Sequence, residues 1–186
     1  MNKQRKLVFA GAGATATAAA LALGLRRQRR PELGVLRTVD SVALPRFAGR
    51  WFEIARYPTR YERRCAKNAT ADYSLRGSGS VYMEHRCTTK DGKIHVAHGM
   101  ARVVDAWSRA KMRVKYGRFG PGADYWIIDL DEDYGWAVVG EPKRERLWIL
   151  SRTPGLDESL YGEICGRLVT QGYDPNKLVR SPQDGA

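Results

Sequence analysis

The side chains best suited to nucleophilic, redox or metal chemistry in this 186-residue chain are three histidines and three cysteines. His95 and His98 stand three apart in a strand-like stretch. At that spacing two side chains point to opposite faces, so one regular strand cannot use both to hold a metal. No acid, histidine and hydroxyl or thiol stand at a spacing that marks a nucleophilic triad, and no metal or cofactor is called for. His85 alone is left as an inward imidazole for a haem or pigment. Cys65 and Cys87 flank strand, Gly-rich turn, strand: 68–75, Arg76-Gly-Ser-Gly79, then 80–87. Folding about Gly77-Ser78 brings the two thiols within a few residues of register, so a disulfide tying the open end of this hairpin is expected. Such a bond implies an oxidising compartment. A free, low-pKa Cys87 would instead support thiol catalysis. Cys165 falls in a helical pattern and reads as a small buried apolar residue.

A second pair is physical rather than reactive. Gly49-Arg-Trp51 enters one strand, and Leu147-Trp-Ile-Leu-Ser-Arg152 ends another. First and last strands of a closed barrel are neighbours, so the indole and guanidinium would stack there as a cation–π pair.

The elements that would position these residues are short and alternating. Ala69, Ala71, Tyr73 and Leu75 alternate with polar residues, as do Val81, Met83, His85 and Cys87, and then Ala110, Met112, Val114 and Tyr116. With 49–57, 93–104, 125–130, 136–139 and 147–152 this makes about eight strands on hairpin-length connections. An antiparallel up-and-down β-barrel fits, because closure removes the exposed edges of a long meander. One helix follows, capped by Asp157, with Leu160, Tyr161, Ile164, Cys165, Leu168 and Val169 as an apolar stripe against the barrel and Gly172 at its end. Residues 31–44 read as a linker, 45–180 as barrel and helix, and 181–186 as a tail.

The net charge is +12, and seven of those charges lie in residues 1–30, which hold no acid. The remaining +5 is spread among twenty acids, which argues against a nucleic-acid partner. Leu7 to Leu25 is uncharged and Ala-rich between basic flanks. It suits a signal peptide or, at close to the ~20 residues of a bilayer span, an uncleaved anchor. Either, with the disulfide, points to the periplasmic side of a cell envelope.

From about 39 to 179 the chain resembles the lipocalins, in particular the bacterial outer-membrane lipocalin and apolipoprotein D group. The three motifs of the family correspond to Gly49-Arg-Trp51, to Asp131-Glu-Asp133-Tyr134 leading into Trp136-Ala-Val-Val139, and to Arg152. The chain lacks the lipidated cysteine of the outer-membrane lipocalins. The resemblance implies an all-β barrel with one external helix, no enzymatic activity, and fatty acids or lysophospholipids as ligands. It places Gly49, Trp51, Asp133, Tyr134 and Arg152 in structural roles at the closed end. Inward residues of the upper strands would meet the ligand: Met112, Val114 and Tyr116 first, then Ala71, Tyr73 and Met83. Arg118, Lys90 or Lys93 would pair with an acidic headgroup. A monomer or weak dimer is expected.

Overall fold

In the computed structural model, residues 34–60, 62–117 and 121–185 are described. The expected signal or anchor at 1–30 and the headgroup candidate Arg118 lie outside them. Eight antiparallel strands run β1 Gly49–Arg56, β2 Cys65–Arg76, β3 Ser80–Thr89, β4 Ile94–Val103, β5 Lys111–Tyr116, β6 Ala123–Leu130, β7 Trp136–Gly140 and β8 Leu147–Ser151. Each pairs with the next, and β1 pairs with both β8 and β2, which closes the barrel. A short helix α1, Leu44–Phe47, precedes β1, and α2, Glu158–Thr170, follows β8. A two-residue strand β9, Val179–Arg180, adds to β1.

Two apolar clusters hold this together. The first fills the barrel with Trp51, Ala71, Tyr73, Met83, Met112, Val114, Tyr125 and Leu150. The second packs Ile164 and Leu168 of α2 against outward residues such as Ile54, Val138 and Ile149. Asp157 caps α2 by accepting from the amides of Ser159 and Leu160. The stripe is narrower than the sequence suggests. Val169 is exposed and Cys165 is half-buried beside Tyr161. Among the described residues both clusters are drawn from 36–178, so the stretch from 34 onward carries an apolar core of its own on which to fold as a unit.

The described part of the expected linker is not a linker. Leu36 and Val42 are buried, the Val39 amide donates to the Ile127 carbonyl, and the Val42 amide donates to Ser108. The C-terminal tail is also built in. β1 and β2 pair only over Gly49–Phe52, opposite Tyr73–Thr70. Beyond that point the two strands diverge, and the tail fills the notch. The Asn68 amide donates to the Pro182 carbonyl, and the Gln183 side-chain amide donates to both Glu53 and Ala69 carbonyls. The hydrogen bonds that β1 and β2 do not give each other go to the tail, as buried backbone groups require.

Candidate functional site: a cavity above the barrel floor

One end of the barrel is sealed by Arg152. Its guanidinium lies 3.8 Å from the centre of the Trp51 ring. It donates to the carbonyls of Arg50 (2.7 Å), Arg46 (2.6 Å) and Ala48 (3.0 Å). The Trp51 indole N–H donates to the Phe47 carbonyl at 2.8 Å, and the two rings pack 5.0 Å apart. Gly49 has φ 93°, a left-handed backbone angle that favours glycine, and it lies against the Arg152 guanidinium. Tyr134 joins the floor: its hydroxyl accepts from the Ala43 amide and its ring lies under Arg46. In the turn before β7 the organising residue is Asp131, whose carboxylate accepts from the Gly135 amide at 2.8 Å. Asp133 sits beside it with a fully exposed side chain and only a 3.9 Å approach to Arg46. The structural role expected of Asp133 thus falls to Asp131, because the carboxylate two residues earlier faces the turn backbone.

Above this floor lies a cavity of about 10 Å³ lined by Glu53, Thr70, Ala71, Tyr73, His85, Tyr125, Trp148 and Leu150. That is room for a single water molecule. The Tyr73 and Tyr125 hydroxyls hydrogen-bond to each other across the barrel, and Trp148 stacks on Tyr125 at 6.1 Å. Burial raises both phenol pKa values well above normal, so the bridge stays protonated. His85 approaches Tyr73 edge-on, and its Nε2 lies 3.1 Å from the Tyr116 hydroxyl. The Tyr116 ring can reach it by crossing Gly99, where a Cβ would sit 3.0 Å from that ring. Glu53 is buried, with its carboxylate accepting from Arg56 at 2.7 Å and from the Ser181 hydroxyl.

The six residues expected to meet a ligand therefore divide. Ala71 and Tyr73 line the cavity, and Tyr116 stands at its rim, bonded to His85. Met83, Met112 and Val114 are fully buried in the barrel core and are not among the cavity's lining residues. Glu53, Tyr125 and Trp148 line it without having been singled out in the sequence. Of the headgroup candidates, Lys93 pairs with Asp91 at 2.9 Å in the β3–β4 turn and Lys90 is exposed beside it.

Cys65 and Cys87 are joined, with sulfurs 2.00 Å apart. Neither offers a thiol to the cavity, and Cys165 lies on α2, outside the barrel. Among the described residues no three His, Cys, Asp or Glu side chains converge as a metal site.

Burial pushes the His85 imidazole down to about 4. In an unfolded chain histidine titrates near pH 6.5. Between those values the unfolded chain takes up the proton and the folded protein does not. Stability is therefore expected to fall as pH drops from about 6.5 to about 4, and this contribution levels off below. Urea midpoints across that window test this, and His85→Gln should flatten that part of the profile.

The described residues match the lipocalin-like domain family over 42–183. The chain is 35% identical over 155 residues to temperature-induced lipocalin-1 of Arabidopsis thaliana, covering 80% of this chain and 83% of that protein. It is also 35% identical over 158 residues to the outer membrane lipoprotein Blc of Escherichia coli K12, covering 84% and 87%. The chain belongs to the lipocalin family. Within it, the similarity extends to the group of Blc and apolipoprotein D. Among solved structures, insecticyanin from the tobacco hornworm Manduca sexta superposes with a TM-score of 0.65 at 19% identity, covering 81% of this chain and 85% of that one. At that identity the likeness speaks for this lipocalin's fold alone.

Proposed function

We propose that this lipocalin binds and carries a small hydrophobic ligand of the fatty-acid or lysophospholipid class in the barrel cavity, at the periplasmic side of a cell envelope. The observation that carries the reading is the closed barrel with a sealed floor and a small cavity above it, lined by the rings of Tyr73, His85, Tyr125 and Trp148, by Ala71 and Leu150, and by Thr70 and Glu53. Family membership supports hydrophobic-ligand binding, and a relative named as an outer membrane lipoprotein supports the envelope. The disulfide suits an oxidising compartment. Binding rather than catalysis is the better account, since Cys65 and Cys87 are consumed in that bond and neither lines the cavity.

The cavity must widen to load. An acyl chain that buries ten methylenes gains about 8 kcal/mol at roughly 0.8 kcal/mol each. Parting the Tyr73–Tyr125 hydrogen bond costs about 1 kcal/mol, and unstacking Trp148 from Tyr125 a similar amount. That gross gain exceeds the cost of parting these two contacts, and the surplus must also cover repacking of Met83, Met112 and Val114 and the cost of association; the bridge would then work as a displaceable bar between floor and mouth.

Native mass spectrometry of residues 31–186 recovered from a bacterial host is the direct test, with a co-purified acyl ligand as the expected result. Protein that is empty and takes up no fluorescent fatty acid would sink the reading. Ala71→Phe, which overfills a space with room for one water and so blocks its widening, is expected to weaken uptake at least about tenfold, or 1.4 kcal/mol, and to lower the urea midpoint through overpacking.

A further inference from the structure

We propose that the outer wall of β2–β5, with the β4–β5 loop at its edge, is a docking face for an anionic lipid bilayer. The strand register assembles it. Arg76, Ser80, Arg102 and Arg113 stand directly opposite one another across β2, β3, β4 and β5, in a row about 5 Å per strand. The next row sets Tyr82, Met100 and Lys115 side by side. Placing Arg102 against Arg113 puts like charges in a cross-strand pair, an arrangement that disfavours the sheet.

The acids nearby do not balance these bases. Asp72 is taken by Arg50 at 3.0 Å, Glu84 by Arg86 at 2.8 Å and Asp124 by Arg113 at 3.3 Å. Arg76, Arg102 and Lys115 have no acidic partner among the described residues, and all three are exposed. Helix α2 covers the other side of the barrel, so this wall faces water.

The loop after Arg102 adds an apolar element. Trp107 is 94% exposed and Val104 is 59% exposed. The loop is nonetheless ordered around Asp105, whose carboxylate accepts from the Trp107 amide at 3.2 Å and the Ser108 hydroxyl at 2.6 Å. The fold thus holds an indole out into solvent beside a row of bases. Indole plus cations is the chemistry of a bilayer interface, where the ring sits among headgroups and the bases meet phosphates. Single-stranded nucleic acid suits this wall less well. Stacking successive bases needs a series of open rings, but Trp107 stands alone at the edge of the wall, and Tyr82 already has His98 stacked on it at 5.7 Å and Arg76 over it at 5.4 Å. A convex barrel wall also offers no groove for a peptide.

This inference stands independently of what fills the cavity, and its test leaves the cavity intact. Residues 31–186 are sedimented with vesicles of phosphatidylcholine, with or without one-third phosphatidylglycerol. The wild-type fragment should prefer the anionic vesicles and lose that preference at high salt. Arg76→Gln/Arg102→Gln/Lys115→Gln should weaken anionic partitioning about a hundredfold, at roughly fivefold per base. Trp107→Ser should weaken binding to the anionic vesicles while leaving the urea midpoint unchanged. Equal partitioning to neutral and anionic vesicles would overturn the proposal, as would an unaltered triple variant. So would a triple variant that loses binding to single-stranded RNA yet keeps its hold on vesicles.

Discussion

Trp51→Ala is expected to cost the barrel about 3–5 kcal/mol, the range for deleting a fully buried aromatic. Trp51 is completely buried and touches the floor through three kinds of contact: the Phe47 ring, the Phe47 carbonyl and the Arg152 guanidinium. Removing it leaves a void among groups that have no other way to close the end. It also strips Arg152 of the ring that shields one face of its charge. Arg152→Met should cost less, about 2–3 kcal/mol, because the carbonyls of Arg46, Ala48, Arg50 and Tyr134 lose a charged donor while the indole keeps its packing. The two side chains share one site, so the double variant should fall short of the sum of the single effects. Urea unfolding of residues 31–186 at fixed pH measures all three. A Trp51→Ala midpoint close to wild type would show that the floor is held by something other than this stack.

Loss of the Cys65–Cys87 bond has the next largest expected effect, about 3 kcal/mol for a loop of this length in the chain-entropy account. The bond spans 22 residues of sequence and ties the start of β2 to β3. Its position adds to its weight. Over Cys65–Ala69 strand β2 has no pairing with β1, and its free edge depends on the tail at Pro182 and Gln183. Cys65→Ala/Cys87→Ala should therefore lower the urea midpoint and speed amide exchange most strongly between residues 65 and 70. Reductant should do the same to the wild-type fragment and do nothing further to the double variant. Uniform loss of protection across the barrel would mean that the bond serves the whole fold instead of this seam.

The same seam shows where sequence patterning stops being readable. Alternation in β2, β3 and β5 assigned Ala71, Tyr73, Met83, Met112 and Val114 to the interior, where they are. Each of those strands has one face on the core and one in water, so period two survives. Strands β1, β6, β7 and β8 are covered on both sides, by the core within and by α2 and Leu36 outside. Their two faces are both apolar, and Leu147-Trp-Ile-Leu carries no mark that Trp148 turns inward. Glu53 is hidden for a different reason. The register of β1 against β8 slips between Glu53 and Ala55, which sends Ile54 and Ala55 toward α2 and leaves the carboxylate at the cavity. A similar slip in β6 between Ile127 and Asp129 blurs its faces.

By itself the sequence determined the barrel, its closing Trp51–Arg152 pair and the cysteine pairing, because each depends on local alternation or on a few residue types at set separations. Tertiary structure decided the contents of the cavity. Two register slips and the doubly covered strands chose Glu53, Tyr125 and Trp148 as its lining. Long-range pairings made the Tyr73–Tyr125 bar and the cationic row on the outer wall. Which residues meet across a barrel is set by the register of strands far apart in the chain, and no stretch of sequence carries that register alone.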